Sequence, residues 1–196
     1  MSLPAKINYK IYQGSTFKEV FRWESATKAY KRISAISKSA PVVITAENHG
    51  LTAGWRCRVT GVNGMRQINS LADSYYQVTE ATQDTITINS INALQFGTYT
   101  DGGIVEYNIP VPLDNMTARM QIRQSIDSST IISELTTENY GIVINTANNT
   151  IIVTISAEQT AAMNFVNAVF SIELINGSTV IPFISGNINL VKEVTR

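Results

Sequence analysis

The 196 residues are long enough for one large or two small domains, and a hydrophobic content of 44% can supply a genuine core. Fifteen basic residues balance 15 acidic ones for a formal charge of zero, which gives no electrostatic footprint for nucleic acid or an anionic membrane surface. Charged residues make up only 15% of the chain, well below the roughly 25% of an average soluble domain, so the neutral surface, rich in hydroxyls and amides, suits a protein packed against partners.

The N-terminal Met1-Ser2-Leu3-Pro4-Ala5-Lys6 lacks the apolar run of a secretory leader, and no stretch reaches the ~20 apolar residues of a membrane helix. The sequence therefore predicts a soluble protein with no membrane insertion, which would not leave a cell by the usual secretory route. Asn8 to Trp23 is too short to bury a core alone and must pair with something further along the chain.

From Ser37 to Tyr107 the chain reads as a complete β module with its own turns and apolar strands. It opens on Ile36-Ser37-Lys38-Ser39-Ala40-Pro41-Val42-Val43-Ile44-Thr45 and closes on Gly97-Thr98-Tyr99-Thr100-Asp101-Gly102-Gly103-Ile104-Val105. Within it, Trp55, Cys57 and Val59 alternate with Arg56, Arg58 and Thr60, the pattern of a strand with one buried face. Asn63-Gly64 predicts a tight turn. Further strands are expected at Tyr75–Thr79, Thr85–Ile91 and Gly103–Tyr107. Four or five short strands in about seventy residues predict a small barrel or sandwich.

Beyond the module, Ala118, Met120 and Ile122 alternate with Arg119, Gln121 and Arg123. Strands are predicted at Ile131–Leu135, Ile142–Ile144, Thr150–Ile155, Val169–Ile175, Val180–Ile184 and Asn187–Val191, the last two separated by Ser185-Gly186. Ser156 with Gln159 three residues on forms a capping-box pair ahead of a short helix through Ala157–Met163. Lys28–Ser34 and Glu106–Asp114, the latter with Pro110 and Pro112, read as exposed joints. The expected fold is mainly β: a sandwich-like host domain with one short helix, split into 1–34 and 108–196, interrupted by a small β-barrel module at 35–107.

Catalytic chemistry finds little material. His49 and Cys57 are the sole histidine and cysteine, so no disulfide can form within the chain and no three- or four-ligand zinc site can be assembled from them. His49 reads as capping a turn before Gly50, and Cys57 as a small core residue. Glu134, Glu138, Asp84 and Asp101 are candidate carboxylates for sugar cleavage, but each lies at a turn or strand end where a solvated role suffices. Gly61-Val62-Asn63-Gly64 and Asp101-Gly102-Gly103 lack the context of a phosphate loop. Trp55, Tyr75, Tyr76, Phe96 and Tyr99 could form a sugar-stacking platform or belong to the core. No catalytic, cofactor-binding or metal-ligating residue is assigned, and no cofactor is expected.

Two resemblances add to this reading. Pro41-Val42-Val43-Ile44-Thr45, His49-Gly50-Leu51, Gly54, Val59-Thr60-Gly61-Val62-Asn63-Gly64-Met65, Ile68-Asn69, Tyr76-Gln77-Val78, Asp84-Thr85-Ile86-Thr87-Ile88 and Tyr99-Thr100-Asp101-Gly102-Gly103 resemble the first catalytic-cysteine half-domain of ubiquitin-activating enzymes, in the version that recurs in bacteriophage tail proteins. That half-domain does not itself carry the catalytic cysteine, so the resemblance implies no activity for Cys57. The flanks, with Gln13-Gly14-Ser15-Thr16-Phe17, Phe21-Arg22-Trp23, Met116 to Arg123, Glu134 to Asn139, Gly186-Asn187-Ile188 and Val194-Thr195-Arg196, are similar to the N-terminal region of phage upper baseplate proteins.

The resemblances imply a non-enzymatic virion protein, made in the host cytoplasm and built in multiple copies into the phage tail as a baseplate, tail-tip or adaptor subunit. Its implied partners are other tail or baseplate proteins, with the host domain docking on the tail core and positioning receptor-binding or fibre proteins. Longer relatives carry a fibre-forming or receptor-binding region, so attachment of another protein is expected here rather than direct receptor recognition. The alternatives are a head-to-tail connector or capsid decoration protein, and a carbohydrate-binding adsorption module.

Overall fold

Short alternating apolar runs become short strands. In a computed structural model, which describes residues 4–193, the chain begins with β1 (Ala5–Lys6), β2 (Tyr9–Tyr12) and β3 (Phe17–Phe21). Next come β4 (Glu24–Arg32), β5 (Ala35–Ile36), β6 (Val42–Thr45), β7 (Arg56–Val62), a 3-10 turn at Arg66–Ile68, β8 (Tyr76–Gln77), β9 (Glu80–Ala81), β10 (Thr85–Ile88) and β11 (Gly102–Pro110). The remainder holds β12 (Thr117–Arg123), β13 (Ile131–Thr136), β14 (Ile142–Asn145), β15 (Thr150–Ile155), α1 (Ala157–Ala162), β16 (Asn167–Asn176) and β17 (Thr179–Val191). The fold is mainly β with one short α-helix among the described residues. Val194-Thr195-Arg196 and Met1-Ser2-Leu3, which entered the sequence reading, lie outside them.

Two compact units result: Met1–Phe21 with Pro112–Arg196, and Arg22–Val111. In the split unit a six-stranded sheet runs β1-β17-β16-β12-β13, with β2 also on β17, and a second sheet runs β14-β15-β3. The pairing follows from pleat geometry: Ala118, Met120 and Ile122 sit opposite Leu174, Ile172 and Phe170, and all six are buried. Aromatic contacts join the two sheets, Tyr9 with Phe17 at 5.0 Å and Phe21 with Phe183 at 6.2 Å between ring centroids, and Tyr9 also meets Phe170 of its own sheet at 5.3 Å. The first strands find their partners after the insertion, β1 and β2 running parallel to β17 and β3 antiparallel to β15.

Gly186 does not divide two strands; β17 is continuous through it. A Cβ there would lie 1.7 Å from the carbonyl oxygen of Ile7, whose N–H donates to the Ser185 carbonyl at 3.0 Å. The glycine marks a close backbone approach within a strand rather than a turn. In α1 both capping-box bonds are made: the Gln159 N–H donates to Ser156 Oγ at 3.1 Å, and the Ser156 N–H to Gln159 Oε1 at 2.8 Å. Thr160 Oγ1 donates to the Ser15 carbonyl at 2.8 Å and ties the helix to the β2–β3 turn.

The inserted unit, where the sequence predicts a small barrel, has ladders among the described residues that define two four-stranded sheets, β5-β6-β10-β9 and β4-β11-β7-β8. They share one core that includes Ile44, Trp55, Cys57, Val59, Ile68, Ile86 and Val105. Chain continuity bridges the sheets at both edges. β4 leads into β5 through Ile33 and Ser34, whose N–H groups donate to Gly103 and Thr45; β8 leads into β9 through Val78 and Thr79, which donate to Trp55 and Thr87.

Both expected joints contain strand. Lys28 pairs with Asn108 and Tyr30 with Glu106 in the β4–β11 ladder. Their charged and proline-containing sequences resemble loops in composition, yet Pro110 is the last residue of β11 and follows an irregularity between Asn108 and Pro110, a position where a missing N–H is tolerated. The units consequently divide after Phe21 and Val111, where the sequence reading put the joints at 34/35 and 107/108. The two ends of the inserted unit meet, the Val111 N–H donating to the Trp23 carbonyl at 2.8 Å.

Candidate functional site

The residues that first attract a catalytic reading are committed to structure. His49 is 2% exposed; its Nδ1 accepts from the Leu51 N–H at 3.0 Å, so Nε2 carries the proton and donates to the Thr85 carbonyl at 3.1 Å. The ring is thereby held neutral, and burial pushes its pKa below the usual histidine value. Tyr107 Oη donates to the His49 carbonyl. Cys57 is fully buried, and desolvation pushes its thiol up to about 12, the opposite of an activated nucleophile.

The carboxylates are dispersed. Asp84 accepts from the Asn48 N–H at 2.9 Å, and Asp101 from Asn63 Nδ2 at 2.6 Å, each linking two loops distant in sequence. Glu134 accepts from Gln121 Nε2 at 2.5 Å. Glu138 takes hydrogen bonds from its own backbone N–H and the hydroxyls of Thr136 and Thr137, which lower its pKa. Among the described residues no group of three or more His, Cys, Asp or Glu could hold a metal ion, and no helix is long and apolar enough to cross a membrane.

The five proposed platform aromatics separate. Trp55 is 1% exposed and belongs to the core. Tyr76 and Tyr99 are half-buried, with hydroxyls donating to Ile68 and to Ile33 and Gly102 respectively; Phe96 packs against the core. Tyr75 is the most exposed of the five at 40%, and a second tyrosine, Tyr30, joins it from β4 at 60% exposure.

These two tyrosines flank the outer face of the β4-β11-β7-β8 sheet. Direct pairing puts Tyr30, Glu106 and Arg58 in one row across β4, β11 and β7, with Arg32, Ile104 and Thr60 in the next row on the same face. Lys28 bonds to Glu106 and holds its proton more firmly for it. Arg56 makes a bidentate pair with Glu24 at 2.6–3.1 Å and lies over the Tyr75 ring at 4.7 Å, with Arg58 at 6.0 Å. Arg58 differs from both: Lys28 occupies its cross-strand carboxylate Glu106, and its Nε is buried without a hydrogen-bond partner. The alternation Arg56/Arg58/Thr60 identifies the outward side of β7 in the sequence. Tyr30 has the matching signal in Lys28/Tyr30/Arg32, but its significance depends on the β4–β11 pairing.

The face is thus polar and aromatic, with the Arg58 guanidinium lacking an ion-pair partner among the described residues, and the residues named on it offer no juxtaposed acid, base and nucleophile. Compared with known proteins, the chain matches no family model and no curated protein.

Proposed function

We propose that the chain is a non-enzymatic structural subunit of a bacteriophage tail, in the baseplate, tail tip or an adaptor, present in several copies per particle. The observation that carries this reading is architectural: a two-sheet β unit is interrupted by a second β unit with its own core, and the two ends of the insertion are hydrogen-bonded to each other at Val111 and Trp23. Such an insertion displays one module from another without disturbing either core.

The sequence resemblances of both parts to phage tail domains favour the same reading. So does the low share of charged residues, 15% of the chain, which suits a surface packed against partners. The split unit would dock on the tail core and the inserted unit would act as spacer or second contact surface, holding receptor-binding or fibre proteins in place. Its mechanism is shape and buried area rather than bond chemistry.

Epitope-tagging the chain in the particle encoded with it and imaging labelled virions tests the reading. Label in several copies at the distal tail is the expected result. Label at the neck or capsid would replace the reading with a connector or decoration role, and absence from purified particles would overturn it.

A further inference from the structure

The outer face of the inserted unit carries two exposed tyrosines and more cations than carboxylates. Lys28, Arg32, Arg56 and Arg58 share it with Glu24 and Glu106; the carboxylates pair with Lys28 and Arg56. Arg58 and Arg32 remain without an ion-pair partner among the described residues. Tyr30 and Arg58 lie two strands apart, about 10 Å, and Tyr75 lies beyond them against Arg56 and Arg58. The face therefore runs from the Tyr30 ring to the Arg58 guanidinium and on to Tyr75 under Arg56, with ion-paired carboxylates between.

We propose that this face binds an acidic polysaccharide segment: a run of pyranose rings with carboxylates, whose C–H faces stack on Tyr30 and meet the part of Tyr75 that Arg56 and Arg58 leave exposed, and one of whose carboxylates pairs with Arg58. Each part has its physical reason. A tyrosine ring offers an apolar face and a polar tip at small entropic cost, matching the alternating apolar and hydroxylated faces of a sugar. The guanidinium fork fits a carboxylate, and Glu24 and Glu106, whose side chains are only 17% and 16% exposed, hold Arg56 and Lys28 in place beside it. Stacking and cations also suit single-stranded nucleic acid, but two carboxylates on the face and a chain of zero net charge oppose a closely spaced phosphate backbone.

The inference goes beyond the tail assignment and stands whether or not the chain belongs to a tail. Its test is a titration of the whole isotope-labelled protein, followed by NMR, with tetragalacturonate, with its neutral methyl ester, and with an oligothymidine of similar length. Tetragalacturonate should give saturable shifts centred on Tyr30, Tyr75 and the Arg58 side chain. Tyr30→Ala and Tyr75→Ala should each weaken binding up to about tenfold, the range of an aromatic contact, while Tyr30→Phe retains it. Arg58→Gln should abolish the preference for the acid over the ester, with dispersed spectra reporting an intact fold. No saturable shift on this face, equal binding of acid and ester by the unmodified protein, or tighter binding of oligothymidine would overturn the proposal.

Discussion

The two units each present a polar sheet face, and the faces use their charges differently. On the split unit, Arg119 pairs with Glu173 at 2.9 Å, and Arg123 donates to Gln121 at 2.8 Å, which in turn donates to Glu134. Asn8 Oδ1 accepts from both the backbone and side chain of Asn187. A groove of about 520 Å³ crosses this face, with Gln121, Arg123, Asn8 and Asn187 among its lining residues, yet these polar groups are already bonded to one another. On the inserted unit, Arg58 has lost its cross-strand carboxylate to Lys28, Tyr30 is 60% exposed and Tyr75 40% exposed beside the two arginines. A concave surface is therefore a weaker sign of binding than a flat one with unfilled hydrogen-bonding capacity, since a ligand entering the groove must first displace internal bonds.

If the units have separate cores, they should also come apart separately, and excision is the most drastic test. Removing Arg22–Val111 and joining Phe21 to Pro112 through a short Gly/Ser linker should leave a folded split unit with a β-type far-UV spectrum and dispersed NMR signals. Removing only 37–106 should instead give an insoluble or molten product, because β4 loses its β11 partner. Equal behaviour of the two deletions would place the structural boundary elsewhere. At the level of one residue, Trp55→Ala empties the middle of the inserted core and should cost about 3–5 kcal/mol, lowering one denaturant transition while the split unit's transition stays in place. In the split unit, Gly186→Ala drives a Cβ into the Ile7 carbonyl. The expected loss is about 1–3 kcal/mol, with amide protection lost selectively along β1.

Why some of this was legible in the sequence and some was not follows from which interactions are local. Thr117–Arg123 and Thr150–Ile155 have the bounds that their alternation predicts, because period two expresses one buried face directly. The Ser156/Gln159 pair is equally local, since both bonding groups lie within one turn. Gly186 misled because a glycine needed for a close backbone approach looks, in sequence, like one needed for a turn; the difference is Ile7, 179 positions away in the chain. β4 was read as part of a joint because Lys28, Lys31 and Arg32 give it a loop-like composition, and its strand identity comes from β11 across the insertion. The aromatic candidates failed for a related reason: Trp55 and Tyr75 differ in burial through packing, not residue type, and Tyr30 enters the face through that same long-range pairing.

Smaller effects sharpen the contrast between local and distant determinants. Ser156→Ala removes the acceptor for the Gln159 N–H and should cost the split unit about 1 kcal/mol, read as a shift in its transition midpoint with the inserted unit unaffected.

The inserted unit has its own proton-linked counterpart in His49. Burial lowers the folded-state pKa below that of the unfolded chain, so at mildly acidic pH the unfolded state binds the additional proton. The stability held by neutral His49 is complete above the unfolded histidine value, near 6.5, and declines as pH falls from there towards the folded value. Protonating Nδ1 would also remove the acceptor used by the Leu51 N–H. Denaturant midpoints measured between neutral and mildly acid pH should therefore fall for the inserted unit, and His49→Gln should flatten that dependence at the cost of a lower neutral-pH stability. The split unit contains no histidine, so an equal histidine-range slope in both transitions would mean that the units do not unfold independently.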